Sequence, residues 1–278
     1  MWNYKLCLGT SSQFGLPTEE QIPLFRQIGF DAFFTGWQPG APIAKWREIA
    51  DSVGIEYQSI HAPFSKMNAM WQEGEAGIAA AKELCDCLAD CAANGVPIMV
   101  AHAFIGFKDH TPTQIGVENF RTVAEEAGRL GVKLALENTE GEEYLAALME
   151  AFRSYEQVGF CWDTGHEMCY NHSKDMMALY GDRLIATHIN DNLGIRDFGG
   201  EITFIDDLHL LPFDGIADWA GIASRLDRHG YEGIMTFELN TKSKPNRHEN
   251  DVYGDMPIER YLTEVFKRAC RVAALRRK

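Results

Sequence analysis

The stretch Phe160-Cys161-Trp162-Asp163-Thr164-Gly165-His166 begins as an apolar run and ends in an acid, with an imidazole three residues further on. A carboxylate at the end of a buried strand is costly unless a metal, a cation or several donors receive it. Alone, the stretch reads equally well as a polar turn capping the next helix. Three other apolar runs end the same way: Lys133-Leu134-Ala135-Leu136-Glu137-Asn138, Leu184-Ile185-Ala186-Thr187-His188-Ile189-Asn190-Asp191 and Ile234-Met235-Thr236-Phe237-Glu238-Leu239. If these four strands are parallel in one sheet, their carboxyl ends bring Glu137, Asp163, His188 and Glu238 to one face. A mixed oxygen and nitrogen set of that kind suits a divalent cation.

The rest of the chain supports parallel pairing. Strands are expected at 4–10, 31–35, 56–61, 98–103, 133–137, 159–163, 184–188 and 233–238. Helices are expected at 17–28, 43–53, 75–93, 113–130, 142–152, 174–180, 216–229 and 257–275, several of them stopped by a glycine such as Gly29, Gly54 or Gly131. Strict strand–helix alternation implies right-handed crossovers, and eight units close most naturally as a (β/α)8 TIM barrel formed by one domain over 1–278. A doubly wound open sheet is the alternative, but no Gly-x-Gly-x-x-Gly follows any strand. The last helix ends basic, with Arg271, Arg276, Arg277 and Lys278, as its dipole prefers.

Composition narrows the function. The 278 residues are 46% hydrophobic, and no uncharged apolar run approaches the roughly 18 residues of a membrane span. The start, Met1-Trp2-Asn3-Tyr4-Lys5-Leu6-Cys7, has no secretion-signal pattern, so a cytoplasmic protein is expected. Seven cysteines without metal-knuckle spacing read as reduced thiols, and Cys85, Cys87 and Cys91 as helix packing. A formal net charge of −14 opposes polyanions, so a small-molecule substrate is expected and a nucleic-acid partner is not.

More than half of the nine histidines fall at predicted strand ends or in the loop 190–215. The polar residues there are His61, His102, Glu137, Asp163, His166, His188, Asp207, His209 and Glu238. One such histidine is ordinarily a satisfied core residue, but their convergence on one face favours a metal site. Apolar residues after strands two to four, Trp37, Phe64, Met67, Trp71, Phe104 and Phe107, are candidates to wall a sugar-sized pocket; alternatively they pack under their own loops or at a subunit contact. The long connections 190–215 and 240–255 read as lids, substrate contacts or oligomer arms, the second carrying Lys242, Lys244, Arg247 and His248. A homo-oligomer is compatible with them.

The chain resembles the xylose isomerase-like barrels, which include sugar isomerases, sugar epimerases, inosose-processing enzymes and the endonuclease IV group. The resemblance rests on Ser59-Ile60-His61-Ala62-Pro63, Ala101-His102, Leu136-Glu137-Asn138, Trp162-Asp163-Thr164-Gly165-His166, His188-Ile189-Asn190-Asp191-Asn192, Asp207-Leu208-His209-Leu210 and Phe237-Glu238, in that order. It implies that Glu137, Asp163, His188 and Glu238 ligate one catalytic divalent ion, Mn, Co, Mg or Zn, and that His166 touches substrate. In the endonuclease IV group the equivalents of His61, His102, His166, Asp207 and His209 complete a cluster, so residue types for as many as three ions are retained. Two positions depart from the pattern. Asn190 stands where relatives often have Lys, and Phe213 replaces a glycine of a turn that could otherwise cradle a phosphate.

The expected activity is metal-dependent isomerisation or epimerisation of a small sugar, ketose or polyol-derived ketone through a metal-stabilised enediolate, with Glu137 and Glu238 moving the proton. The alternatives are an endonuclease IV-like phosphodiester hydrolase and a barrel that binds sugar or metal without turnover.

Overall fold

The computed structural model describes residues 4–108, 111–195 and 201–277. Met1 to Asn3, Lys278 at the basic end of the last helix, and 196–200 of the long loop lie outside the described residues. Eight strands form one parallel sheet: β1 (Leu6–Gly9), β2 (Ala32–Gly36), β3 (Glu56–His61), β4 (Ile98–His102), β5 (Lys133–Glu137), β6 (Val158–Asp163), β7 (Leu184–His188) and β8 (Met235–Phe237). Their order is β7-β6-β5-β4-β3-β2-β1-β8. Closure between β7 and β8 comes just beyond the strand ends, where Ile189 N donates to Thr236 O at 2.7 Å and Glu238 N to Ile189 O at 3.3 Å. The result is a (β/α)8 barrel.

The outer layer contains α1 (Thr18–Ile28), α2 (Ile43–Val53), α3 (Glu75–Ala93), α4 (Gln114–Leu130), α5 (Glu142–Ala151), α6 (Thr164–Met168), α7 (Met176–Tyr180), α8 (Trp219–Arg228), α9 (Asp251–Gly254) and α10 (Ile258–Ala273). The expected boundaries hold to within a few residues. α4 ends where predicted because Gly131 takes a left-handed φ of 69° and its N–H caps Ala127 O. α8 starts at Trp219 rather than 216 because Asp218 accepts the Gly221 N–H as its N-cap. The short α6 and α9, and a 3-10 turn at Met67–Trp71, are additions that no apolar period announces.

The pleat explains why the strand ends face inward. Leu134 and Leu136 of β5 join the large core beneath the helices, whereas Ala135 joins Val100, Cys161 and Ala186 inside the barrel. Glu137 is two residues beyond Ala135, Asp163 two beyond Cys161, and His188 two beyond Ala186, so each shares the inward face of its strand. Small side chains fill the barrel below and leave its upper end to polar groups. Among the described residues, no helix is long and apolar enough to cross a membrane.

Candidate metal centre

Among the described residues, four groups of side chains that could hold a metal form at the carboxyl ends of the strands, each with its ligand atoms within 4.8 Å of one another: Glu137, Asp163, His188 and Glu238; His61, His102 and Glu137; His166, Asp207 and His209; and Glu137, Cys161 and His188. Glu137 links three of them. Its Oε1 lies 2.9 Å from His188 Nδ1, and its Oε2 lies 3.3 Å from both His61 Nε2 and His102 Nε2. His188 Nδ1 also lies 3.1 Å from Glu238 Oε2. Asp207 is 3.0 Å from His209 Nε2 and 3.5 Å from His166 Nε2.

These residues fit divalent ions. Glu137 Oε2 and Asp207 Oδ1 are buried carboxylate oxygens without a hydrogen bond, a costly arrangement that a cation held among the facing imidazoles and carboxylates offsets. Three imidazoles are oriented by backbone carbonyls: His61 Nδ1 on Ala62 O (2.8 Å), His166 Nδ1 on Asn138 O (3.0 Å) and His209 Nδ1 on Glu238 O (3.1 Å). In each case Nε2 is left to face a carboxylate, the usual way a protein selects the ligating nitrogen. Aromatic faces back three of the rings: Phe34 on His188, Phe64 on His102 and Tyr170 on His166, at centroid distances of 5.0, 4.6 and 4.9 Å.

Asp163 caps the next helix and also stands among the candidate ligands. Oδ1 accepts the His166 N–H at 2.6 Å and so caps α6, while Oδ2 accepts from Asn190 Nδ2 at 2.9 Å within reach of the other ligands. Asn138 supports it, with Oδ1 accepting the Asp163 N–H and Nδ2 donating to Asp163 O.

The electrostatics are those of crowded acids and imidazoles out of water. Burial raises the Asp163 carboxyl to about 6, although His166 and His209 pull the other way. Burial also acts to raise Glu238, but His188 and His209 outweigh it and bring it to about 2. For His209, burial favours the neutral ring, yet Asp207 and Glu238 raise it to about 9. The Cys161 thiol is pushed well up by burial and by Glu137 and Asp163, which keeps it protonated beside the centre.

Above the centre lies a cavity of about 510 Å³ whose lining includes Phe64, His102, His166, Tyr170, Asp207 and Lys244. Of the residues expected to wall a pocket, Phe64 lines it, whereas the exposed Phe107 lines a neighbouring cavity. Trp37, Met67, Trp71 and Phe104 are buried and absent from its lining. Trp37 donates to Asp90 at 2.6 Å, Trp71 donates to Ala103 O at 2.8 Å, and Phe104 stacks on Tyr144 at 4.1 Å, so each packs beneath its own loop. Tyr170, Phe204 and Lys244 are additional lining residues. Tyr170 follows His166 at a helical spacing of four, a signal present in the sequence; Phe204 and Lys244 come from loops with no such period. The turn after His209 is occupied by Asp191, whose carboxylate accepts from Phe213 N, Ala217 N and Trp219 Nε1. The backbone donors of Phe213, Asp214, Ile216 and Ala217 are thus already used, in keeping with the departure at Phe213.

The model of the xylose isomerase-like TIM barrel family matches residues 22–256, and the chain belongs to that family. The uncharacterized protein y4fM of Sinorhizobium fredii (strain NBRC 101917 / NGR234) is 28% identical over 264 aligned residues, covering 78% of this chain and 79% of the relative. A probable endonuclease 4 of Methanoculleus marisnigri (strain ATCC 35101 / DSM 1498 / JR1) is 28% identical over 159 residues, 52% of this chain and 50% of its own. Among solved structures, the IolI protein with a bound zinc atom shares the fold at a TM-score of 0.75 and 18% identity, over 97% of this chain and 98% of that one. D-psicose 3-epimerase with D-tagatose, from Clostridium cellulolyticum H10, does so at 0.70 and 17%, over 96% and 99%.

Proposed function

We propose that this chain is a divalent-metal-dependent isomerase or epimerase of a small sugar, ketose or polyol-derived ketone. One arrangement carries the reading. Glu137 and Glu238 approach the same nitrogen of His188, at 2.9 and 3.1 Å, with Asp163 completing a four-ligand group. A divalent ion bound there supplies Lewis-acid polarisation of a substrate carbonyl and its neighbouring hydroxyl. Each glutamate has two carboxylate oxygens, so Glu137 and Glu238 can also take a proton from the carbon beside the carbonyl and return it. His166 Nε2 orients the substrate through a hydroxyl, and Phe64 and Tyr170 restrict water at the mouth. The sugar-epimerase fold of the neighbours supports this reading; the substrate and the ion belong to the proposal.

A second reading, a phosphodiester hydrolase of the endonuclease IV kind, is favoured by one observation: the two three-residue groups His61, His102, Glu137 and His166, Asp207, His209 are present as well. Against it stand the net charge of −14 and a cavity whose lining holds Lys244 but no other Lys or Arg among the described residues.

Incubation of metal-reconstituted protein with a ketose panel in deuterated water decides between them. Exchange of the hydrogen beside the carbonyl, abolished by chelation, is the expected result. No exchange with any ketose, together with abasic-duplex cleavage lost in Asp207→Ala and His209→Ala, establishes the hydrolase instead.

A further inference from the structure

The loop after β8 brings one cation over the centre. Lys244 Nζ lies 3.4 Å from Asp207 Oδ2 and 5.9 Å from the ring centre of Phe204, and its side chain is 21% exposed. The loop that carries it is anchored on both sides. Gln13 Oε1 accepts from Thr241 N and Lys242 N, each at 3.0 Å, and Ser243 Oγ donates to Asp251 Oδ1 at 2.6 Å. A lysine stem is therefore delivered to the cavity by ordered backbone, while Lys242, two residues earlier, is exposed and absent from the lining.

Lys244 has no carboxylate to itself, because Asp207 is already shared with His209 and His166. An ammonium has three donors, and one long contact to a shared carboxylate leaves donors available to the cavity. A partly buried ammonium gains more from an oxyanion than from a neutral hydroxyl, because a charge-assisted hydrogen bond is roughly twice as strong as a neutral one. Lys244 is also separated from Glu137 by successive contacts through His166 and Asp207, of 3.6, 3.5 and 3.4 Å. A group held by Lys244 is thus displaced from the carbons that react at Glu137.

We infer that Lys244 is a specificity-determining residue that binds an oxyanion, a phosphate ester or a carboxylate, at the far end of the substrate from the reacting carbonyl. The sugar part of this inference rests on the isomerase reading; the anion site does not.

The test uses manganese-reconstituted protein and the variants Lys244→Met, Lys244→Arg and, as a control, Lys242→Ala. Inorganic phosphate is titrated calorimetrically, and exchange kinetics are measured with D-xylulose, D-xylulose 5-phosphate and 5-keto-D-gluconate. Lys244→Met is expected to weaken phosphate binding and to raise KM for an anionic ketose by roughly tenfold or more at unchanged metal content. Lys244→Arg should recover most of the loss, and Lys242→Ala should stay within about twofold of wild type, the cost of an exposed surface change. The arm that responds, phosphate ester or carboxylate, identifies the anion. Wild-type preference for D-xylulose over both anions, or phosphate binding unaltered in Lys244→Met, overturns the inference. Loss of phosphate binding in Lys244→Met without exchange of any ketose keeps the anion site and rejects the isomerase reading.

Discussion

Asn190 Nδ2 donates to Asp163 Oδ2 at 2.9 Å, across the gap between the ends of β7 and β6. The contact exists because position 165 is glycine: a Cβ there would stand 1.9 Å from Asn190 Oδ1. The departure from lysine at 190 thus has a local consequence, an amide that orients the Asp163 carboxylate in place of a cation. Asn190→Ala is expected to lower metal affinity about 10- to 100-fold, the usual cost of losing a hydrogen bond that orients a ligand. Gly165→Ala should produce a similar loss by displacing the amide. Metal content after dialysis, with circular dichroism to check folding, measures both; full occupancy in either variant contradicts the assignment.

Glu137 belongs to three of the four ligand groups, whereas Glu238 belongs to one. Glu137→Ala should therefore strip more metal than Glu238→Ala, and Asp163→Ala and His188→Ala should each empty the four-residue centre. Elemental analysis of the purified variants provides the test. Equal, wild-type metal content in all of them would mean that these side chains do not hold an ion.

Metal uptake should release protons and tighten as pH rises. His209 must be neutral to ligate, but Asp207 and Glu238 raise it to about 9 in the metal-free protein despite its burial, and His166 and His188 are raised as well. A histidine with a raised folded pKa contributes stability that is full below its unfolded value near 6.5 and is lost as pH passes about 9. Metal-free protein should accordingly lose thermal stability between about pH 6.5 and 9 while affinity for the ion climbs. Calorimetry in buffers of different ionisation heat counts the protons; a pH-independent affinity across this window is inconsistent with the geometry.

Arg225 connects α8 to the other end of the α6 segment. It donates to Glu167 Oε1 at 2.7 Å and lies 4.5 Å over the Trp162 ring, and Trp162 Nε1 donates to Glu167 Oε2 at 2.9 Å. Burial raises the Glu167 carboxyl, although Arg225 acts to lower it. Arg225→Ala leaves that acid buried without its cation, at a cost of about 2–4 kcal/mol, somewhat below a fully buried pair because Arg225 is partly exposed. Urea unfolding measures it, and a change under about 0.5 kcal/mol, the range of an ordinary surface substitution, refutes the role.

How far the sequence reaches can be judged from particular residues. Glu137, Asp163 and His188 were legible because each ends an apolar run whose two-residue pleat places it on the inward face, and that periodicity is local. The closing of β7 on β8 through Ile189 follows from strict alternation, since eight right-handed crossovers leave few other ways to pair the edges. The buried positions of Trp37, Trp71 and Phe104 were not legible, because an aromatic after a strand faces the cavity or the core according to how its loop folds back on neighbouring helices. Asp163 shows the same limit in one residue: the sequence presents helix cap and metal ligand as alternatives, and a carboxylate with two oxygens is placed for both only when β5, β6 and β7 stand side by side. Lys244, one cation among several in the loop after β8, is singled out by its contacts to Asp207 and Phe204 on the loop after β7, and by the anchoring of its own loop, where Gln13 accepts from Thr241 N and Lys242 N. Strand period and helix punctuation are written in neighbouring residues and so belong to the sequence. The meeting of Glu137 with His61, His102 and His188, and of Lys244 with Asp207, depends on distances that exist only after the barrel has closed.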